Sequence, residues 1–509
     1  MTVELVVPSP VTIENAVYSS GQDGNAVQVR NLDIDSYDTD TYSSSTAKES
    51  GDVVTDGGIN PIKGTVDGDV YTVRNGKKIK VASGGRVNGN VHSQKRVVVV
   101  DSGVVEDSIF AENPVEFKGQ EVGGSVHADG KVTLGSSGLT VGDEVRTTGD
   151  LSFGSSGVTI DGDVHAAKLK SLGQSPDLNG NVYTSGFYGE RGNRVGVSLS
   201  GELHAGDGIY TDGTEIDGAA YTDGDFEDTN SNYNNEVHVG GNADLSGTTV
   251  SKTVYVAGDA ELDSATINDD LHVGGDLTCS GSNSVSGSVN VDGSVAESCS
   301  FGDDGSANLG QLTSPVDPKP PTSPDEPTPD PPKIEVPPED ETDPVPASCT
   351  NGGGTIQVQS DDTCRLPPGT YDVSKLDVDQ GKLIFEEGGR VELYVSDDLS
   401  LSSGNITTAP AGEHDATRVE VNYYGNQQAS VLANFTGVIN APNVKVDMDE
   451  GNYEPHVFGA VIAKQVEGDN GVQIHYDEDL SGRTVGNGKN GTTSVQYLHV
   501  TRNEMTVED

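Results

Sequence analysis

The sequence predicts an all-β protein: a parallel β-helix with about 18 residues per rung, then a proline-rich linker and a second, shorter β-helical domain. Three observations predict it. A five-residue motif returns thirteen times at a nearly constant interval. Only 32% of the 509 residues are hydrophobic, with 66 glycines and no tryptophan, so any core is thin. Finally, 13 of the 23 prolines crowd into residues 313–348.

The motif reads GNVHS at 89–93, GSVHA at 124–128, GDVHA at 162–166, GNVYT at 180–184 and GELHA at 201–205. Its central apolar residue falls at Val70, Val91, Ile109, Val126, Val145, Val164, Val182, Leu203, Ala220, Val237, Val254, Leu271 and Val289, with steps of 17 to 21 residues. A step this short cannot hold a helix–turn–helix unit, and the composition is Val, Thr and Gly. Alternating runs such as NEVHVGG (235–241) put one residue in and the next out, and Gly, Asn and Asp supply the corners. Stacked rungs lie about 4.8 Å apart, so thirteen make a rod on the order of 60 Å long. Each rung buries a few small aliphatics, which accounts for the composition without disorder.

The residue after each centre faces outward if the centre faces inward. Histidine occupies that position in every second rung, as His92, His127, His165, His204, His238 and His272. Tyr71, Phe110, Arg146, Tyr183, Tyr221 and Tyr255 alternate with them. Histidines two rungs apart are separated by about 9.6 Å, too far to share a zinc whose donors lie about 2 Å away. No fixed carboxylate accompanies every histidine. The column reads as an exterior ladder of flat rings that keeps rungs in register, with periodic ligand binding as the alternative. Alternation keeps imidazoles apart, so the expected pH sensitivity is mild.

Residues 1–63 show no clear period and are expected to form a cap or flexible approach. The parallel β-helix occupies 64–312. Residues 313–348 alternate proline with acid, the composition of a stiff polyproline-II spacer reaching about 3.1 Å per residue. Residues 349–509 form the second β-helical domain: 369–407 alternate apolar and polar residues, and FTGVINAPNVKV (435–446) aligns with VFGAVIAKQVEG (457–468). The four cysteines fall into two sequence-local pairs, Cys279 with Cys299 and Cys349 with Cys364. Such pairs suit disulfides and an oxidising compartment. The first is expected to seal the end of the long helix, the second to staple the start of the next domain.

With 30 Lys and Arg against 81 Asp and Glu, the formal charge is −51. Such a surface repels nucleic acid and anionic membranes. Acid spread evenly through every region is the pattern of proteins from saturated brine, where molar salt cuts the Debye length to about 3 Å. We therefore expect a halophilic, haloarchaeal source. No apolar run approaches the ~18 residues of a membrane span. The opening MTVELVVPSPVTIENAVYSS lacks the basic start and apolar stretch of a secretion signal. Either a signal or anchor helix has been removed, or the chain is cytoplasmic.

Asn405, Asn434 and Asn490 sit in Asn-x-Ser/Thr acceptors and are candidate glycosylation sites. Asp447, Asp449, Glu450 and Asn452 form a weak candidate Ca²⁺ site, lacking the full EF-hand pattern. Asp33, Asp35, Asp38 and Asp40 form a similar acidic stretch, read as solvated. There is no GxSxG, HExxH, P-loop or dinucleotide fingerprint. With this many acids, chance pairing makes any one carboxylate pair uninformative. No catalytic residue and no cofactor other than Ca²⁺ is expected, and we expect a non-enzyme.

YDVSKLDV, RVELYVSDDLSL, FTGVINAP, FGAVIAK and HYDEDL follow one another between residues 349 and 480. In that order they resemble the β-helical domain of prokaryotic surface proteins associated with type IV pilus-like machinery. The 64–295 repeats are similar to bactofilin-type polymer-forming β-helices. The first resemblance implies an exported, filament- or envelope-associated protein with no catalytic residues to carry over. The expectation is an extracellular structural component of a cell-surface appendage, adhesive and self-associating, whose partners are its own copies, other surface proteins or glycans. The alternatives are a cytoplasmic bactofilin-like scaffold and a surface or viral fibre that binds or cleaves polysaccharide.

Overall fold

The computed structural model describes residues 11–485 except 14, 23, 31, 38–50, 74–76, 100–101, 155–156, 172–175, 189–195, 300–303, 306–333, 335, 338–340, 351–353, 411–413, 450–453 and 470. The protein is all-β, a parallel β-solenoid of about 18 residues per turn whose short strands pair with the rungs above and below.

Each residue of the repeated pentapeptide has one physical task. In GNVYT and GELHA the glycine is a corner. A Cβ at Gly180 would lie 2.5 Å from Gly162 backbone, and one at Gly201 would lie 2.4 Å from the Gly180 carbonyl oxygen, so neither corner accepts a side chain. The polar residue that follows caps the next rung: Asp163 Oδ1 accepts from the Asn181 amide at 2.7 Å, and Asn181 Oδ1 accepts from the Glu202 amide at 2.9 Å. The third residue fills the core, the fourth faces out, and the fifth returns inward, as in Val126–Ala128. Ala220, the least typical centre, is fully buried in register between Leu203 and Val237.

A second corner repeats the capping, mostly with aspartates. Asp225, Asn242, Asp259 and Asp276 each accept the backbone N–H of the rung above, at 2.7–2.9 Å. Part of the acid content thus holds the coil together instead of decorating it.

Strand pairing joins the segments that composition separates at residues 63, 312 and 348. Val17–Ser19, Val27–Val29 and Asp33–Tyr37 make one rung of the coil. On one side it pairs with Val53–Thr55, Ile59–Ile62 and Thr65–Val66. On the other it pairs with His456–Gly468 and Gln473–Asp477. The inward column therefore runs Tyr371, Leu393, Val421, Ile439, Val461, Val17, Val53 and Val70 without a break, and continues through the repeat centres to Val289. About twenty rungs at ~4.8 Å give a rod of about 95 Å.

From the Val17–Tyr37 rung, which lies part-way along this rod, the chain winds to Asp304–Gly305 at one end. It reappears at the opposite end, where Asp343 bonds Thr370, and winds back to meet its own beginning. Most of the proline-rich stretch lies outside the described residues. Both cysteine pairs are disulfides, Cys279–Cys299 with Cα atoms 5.0 Å apart and Cys349–Cys364 with Cα atoms 4.6 Å apart. They stand at opposite ends of the one stack. Val11–Ile13 and Arg483–Val485 form a small antiparallel pair of their own.

Candidate functional site

The outward column forms because in-register parallel strands stack like on like. Tyr71 and His92 lie with ring centroids 4.5 Å apart and planes 4° apart, and His92 stacks on Phe110 at 4.9 Å. A second run extends from His165 through Tyr183, His204, Tyr221, His238 and Tyr255 to His272, every neighbour at 4.7–5.0 Å. Between the runs, His127 meets Phe110 edge-on at 66° and Arg146 takes the next position. Within the runs both faces of an inner ring are covered, so only ring edges reach solvent and no face is left on which a sugar can stack.

Acids stand beside four of the six histidines. Glu202 and Glu236 each lie 3.0 Å from the Nε2 of His204 and His238, two residues further along the same strand face. Glu144 lies 3.0 Å from His127 and also holds Arg146 at 2.9 Å, and Asp69 is 3.8 Å from His92. No one carboxylate position thus serves all six histidines, although Glu at the second position of GELHA and NEVHV was a legible signal for His204 and His238. Burial lowers the pKa of His127 and His165, and Arg146 adds to it. At the foot of the ladder two acids part company. Burial raises Asp52 to about 6. Burial would raise Asp69 too, but the nearby His92 ring and hydrogen bonds from Tyr71 and the Asn90 amide outweigh it and hold Asp69 at about 2.

A second cluster lies at the seam between the N-terminal rung and the C-terminal coil. Asp35 is the register partner of His475, and Phe458 is the next residue in that column. His475 Nδ1 is 2.5 Å from Asp35 Oδ1, and its Nε2 is 3.2 Å from His456 Nδ1. The His475 ring thus bridges the Asp35 carboxyl group and the His456 ring, one nitrogen to each. Phe458 separates His475 from His414, with centroids at 4.7 and 3.7 Å, and Tyr37 donates to the His414 carbonyl. Burial, then the neighbouring imidazoles, lowers the pKa of His456 and His414. The partners are 440 residues apart in sequence, so no local pattern announces them.

The buried Asp228 carboxylate accepts from the hydroxyls of Thr211, Ser231, Thr248 and Tyr233 inside the coil, and burial raises its pKa. Of the weak Ca²⁺ candidates, Asp447 is bonded by Lys445 at 2.8 Å and by Gln428 at 2.7 Å, and its other oxygen accepts the Asp449 amide. Glu450 and Asn452, like Asp38 and Asp40, lie outside the described residues. Among the described residues no group of three or more His, Cys, Asp or Glu is arranged to hold a metal ion. Asn434 is exposed, and its side-chain oxygen accepts the His456 amide; Asn490 is not described, nor is the side chain of Asn405. An open depression of about 360 Å³ beside Asn434 is lined by Ser403, Leu432, Glu454 and Pro455, with one acid and no basic residue.

No helix among the described residues is long and apolar enough to cross a membrane. A family described as a domain of unknown function (DUF7305) matches residues 375–483. No curated protein and no solved structure matches the chain. The family match covers the upper coil of the C-terminal segment and the strands that meet Val17–Tyr37, so the matched stretch ends at the seam.

Proposed function

We propose that this chain is a non-enzymatic structural rod of the cell exterior in a halophilic organism, a stiff and self-associating element of an appendage or envelope. The observation that carries the reading is the single stack of about twenty rungs with one disulfide at each end. Backbone ladders, corner caps and the ring ladder all run along one axis, the arrangement that resists bending and twisting. Disulfides favour an oxidising location over a cytoplasmic bactofilin-like polymer. The tie to pilus-like machinery rests on the sequence resemblance of residues 349–480.

Electron microscopy of the purified chain in molar NaCl, oxidised and reduced, tests this. Straight single particles about 95 Å long, alone or in file, are the expected result. Two lobes held apart by a thin thread, or turnover of a polysaccharide, would overturn it.

A further inference from the structure

The rod is closed by a seam with no covalent link across it. On one side are Val17–Ser19, Val27–Val29 and Asp33–Tyr37; on the other, His456–Gly468 and Gln473–Asp477. The C-terminal coil reaches this seam only through the chain between Gly305 and Asp343, which are fixed at opposite ends of the rod.

That connection has about 38 residues to cover about 95 Å. In a proline-rich chain, 38 residues reach on the order of 120 Å, whereas a flexible Gly/Ser chain of that length averages only about 35 Å end to end. Closure within one copy therefore works, with little length to spare. If the C-terminal coil of one copy sits on the N-terminal rung of another, the connection need span only a fraction of that distance. The two faces of the seam differ, so joining copies this way is head to tail, a heterologous contact that continues as a file unless its rotation returns it to the first copy.

We propose that the seam is an exchangeable joint whose second occupant is another copy of this chain, the 349–485 coil of one copy docking on the 17–37 rung of the next. The proposal rests on the reading of the chain as a self-associating rod and supplies its contact surface. The intramolecular form competes through its high local concentration, so linker length sets the balance between single rods and files of rods.

Removing residues 316–331 from the full chain leaves about 22 residues, which even fully extended reach under 80 Å. Closure within one copy is then impossible. Light scattering and electron microscopy in molar NaCl should show files of rods at concentrations where the parent chain is single. Asp33 and Gln473 are register partners across the seam on the outer face. Mixing shortened chains carrying Asp33→Cys with shortened chains carrying Gln473→Cys should give covalent dimers on oxidation. A shortened chain that stays single, with rapid hydrogen exchange over 17–37 and 456–477 and no mixed dimer, overturns the joint while leaving the rod reading intact. A parent chain that is not a rod overturns both.

Discussion

Asp52→Asn should stabilise the protein at neutral pH and leave it nearly unchanged near pH 4. Asp52 sits one rung from the seam, its Oδ1 accepting the Asp69 amide at 2.8 Å, a bond that asparagine keeps. Burial lifts its folded pKa from 3.8 to about 6, and the Asp69 charge adds to the rise. The folded state thus holds this proton more tightly than the unfolded chain. Stability contributed by the protonated acid is present below the unfolded pKa of 3.8 and is lost as pH rises through 6. A shift of about two units at 1.36 kcal/mol each is worth about 3 kcal/mol above pH 6. Removing the charge should recover up to that amount. Urea titration in 2 M NaCl at pH 4 and pH 7, with hydrogen exchange at Val53–Thr55, reads the difference. Equal stabilisation at both pH values, or none at pH 7, would refute the argument; so would a carboxyl resonance for Asp52 titrating near 4.

Other substitutions separate the remaining interactions. Asp228→Ala removes the acceptor that four buried hydroxyls share and should cost about 3 kcal/mol in urea melts, whereas Asp228→Asn, which still accepts, should cost less. His204→Ala opens the ring stack between Tyr183 and Tyr221 and should cost about 1 kcal/mol. Since His127 and His165 have lowered pKa values, their own contribution to stability should fall as pH drops below 6.5, their unfolded value, and oppose the gain from Asp52; a sharp cooperative transition between pH 5 and 7 would contradict the alternating ladder. Reduction of Cys279–Cys299 should speed amide exchange near Leu277 and Val289 and leave Val145 protected, because rungs contact only their neighbours.

The coil was legible because each rung writes its own corner, cap, core and outer residue within some 18 positions. The N-terminal rung was not, for a plain reason. From Val17 to the next inward centre at Val53 the chain takes 36 residues, twice the usual step, so the period disappears where the fold continues. The partners of Val17, Val27 and Asp35 are more than 400 residues away and match by shape alone. The proline-rich stretch reads as a long, stiff spacer in composition, but composition cannot say whether the segments on either side of a spacer form two bodies or one stack. The glutamates beside His204 and His238 were readable from strand alternation, unlike Asp35, which reaches His475 only once the coil closes.

The antiparallel pairing of Val11–Ile13 with Arg483–Val485 decides how the molecule answers tension. Val11 pairs with Val485, so the outermost residues of both strands stand at the same end of this ladder. A pull applied to residues 10 and 486 would unzip three residue pairs one after another instead of shearing them together. The long coil lies outside the line of force until that short zipper is spent. The ladder would act as a weak mechanical fuse, giving way first and sparing the stack behind it.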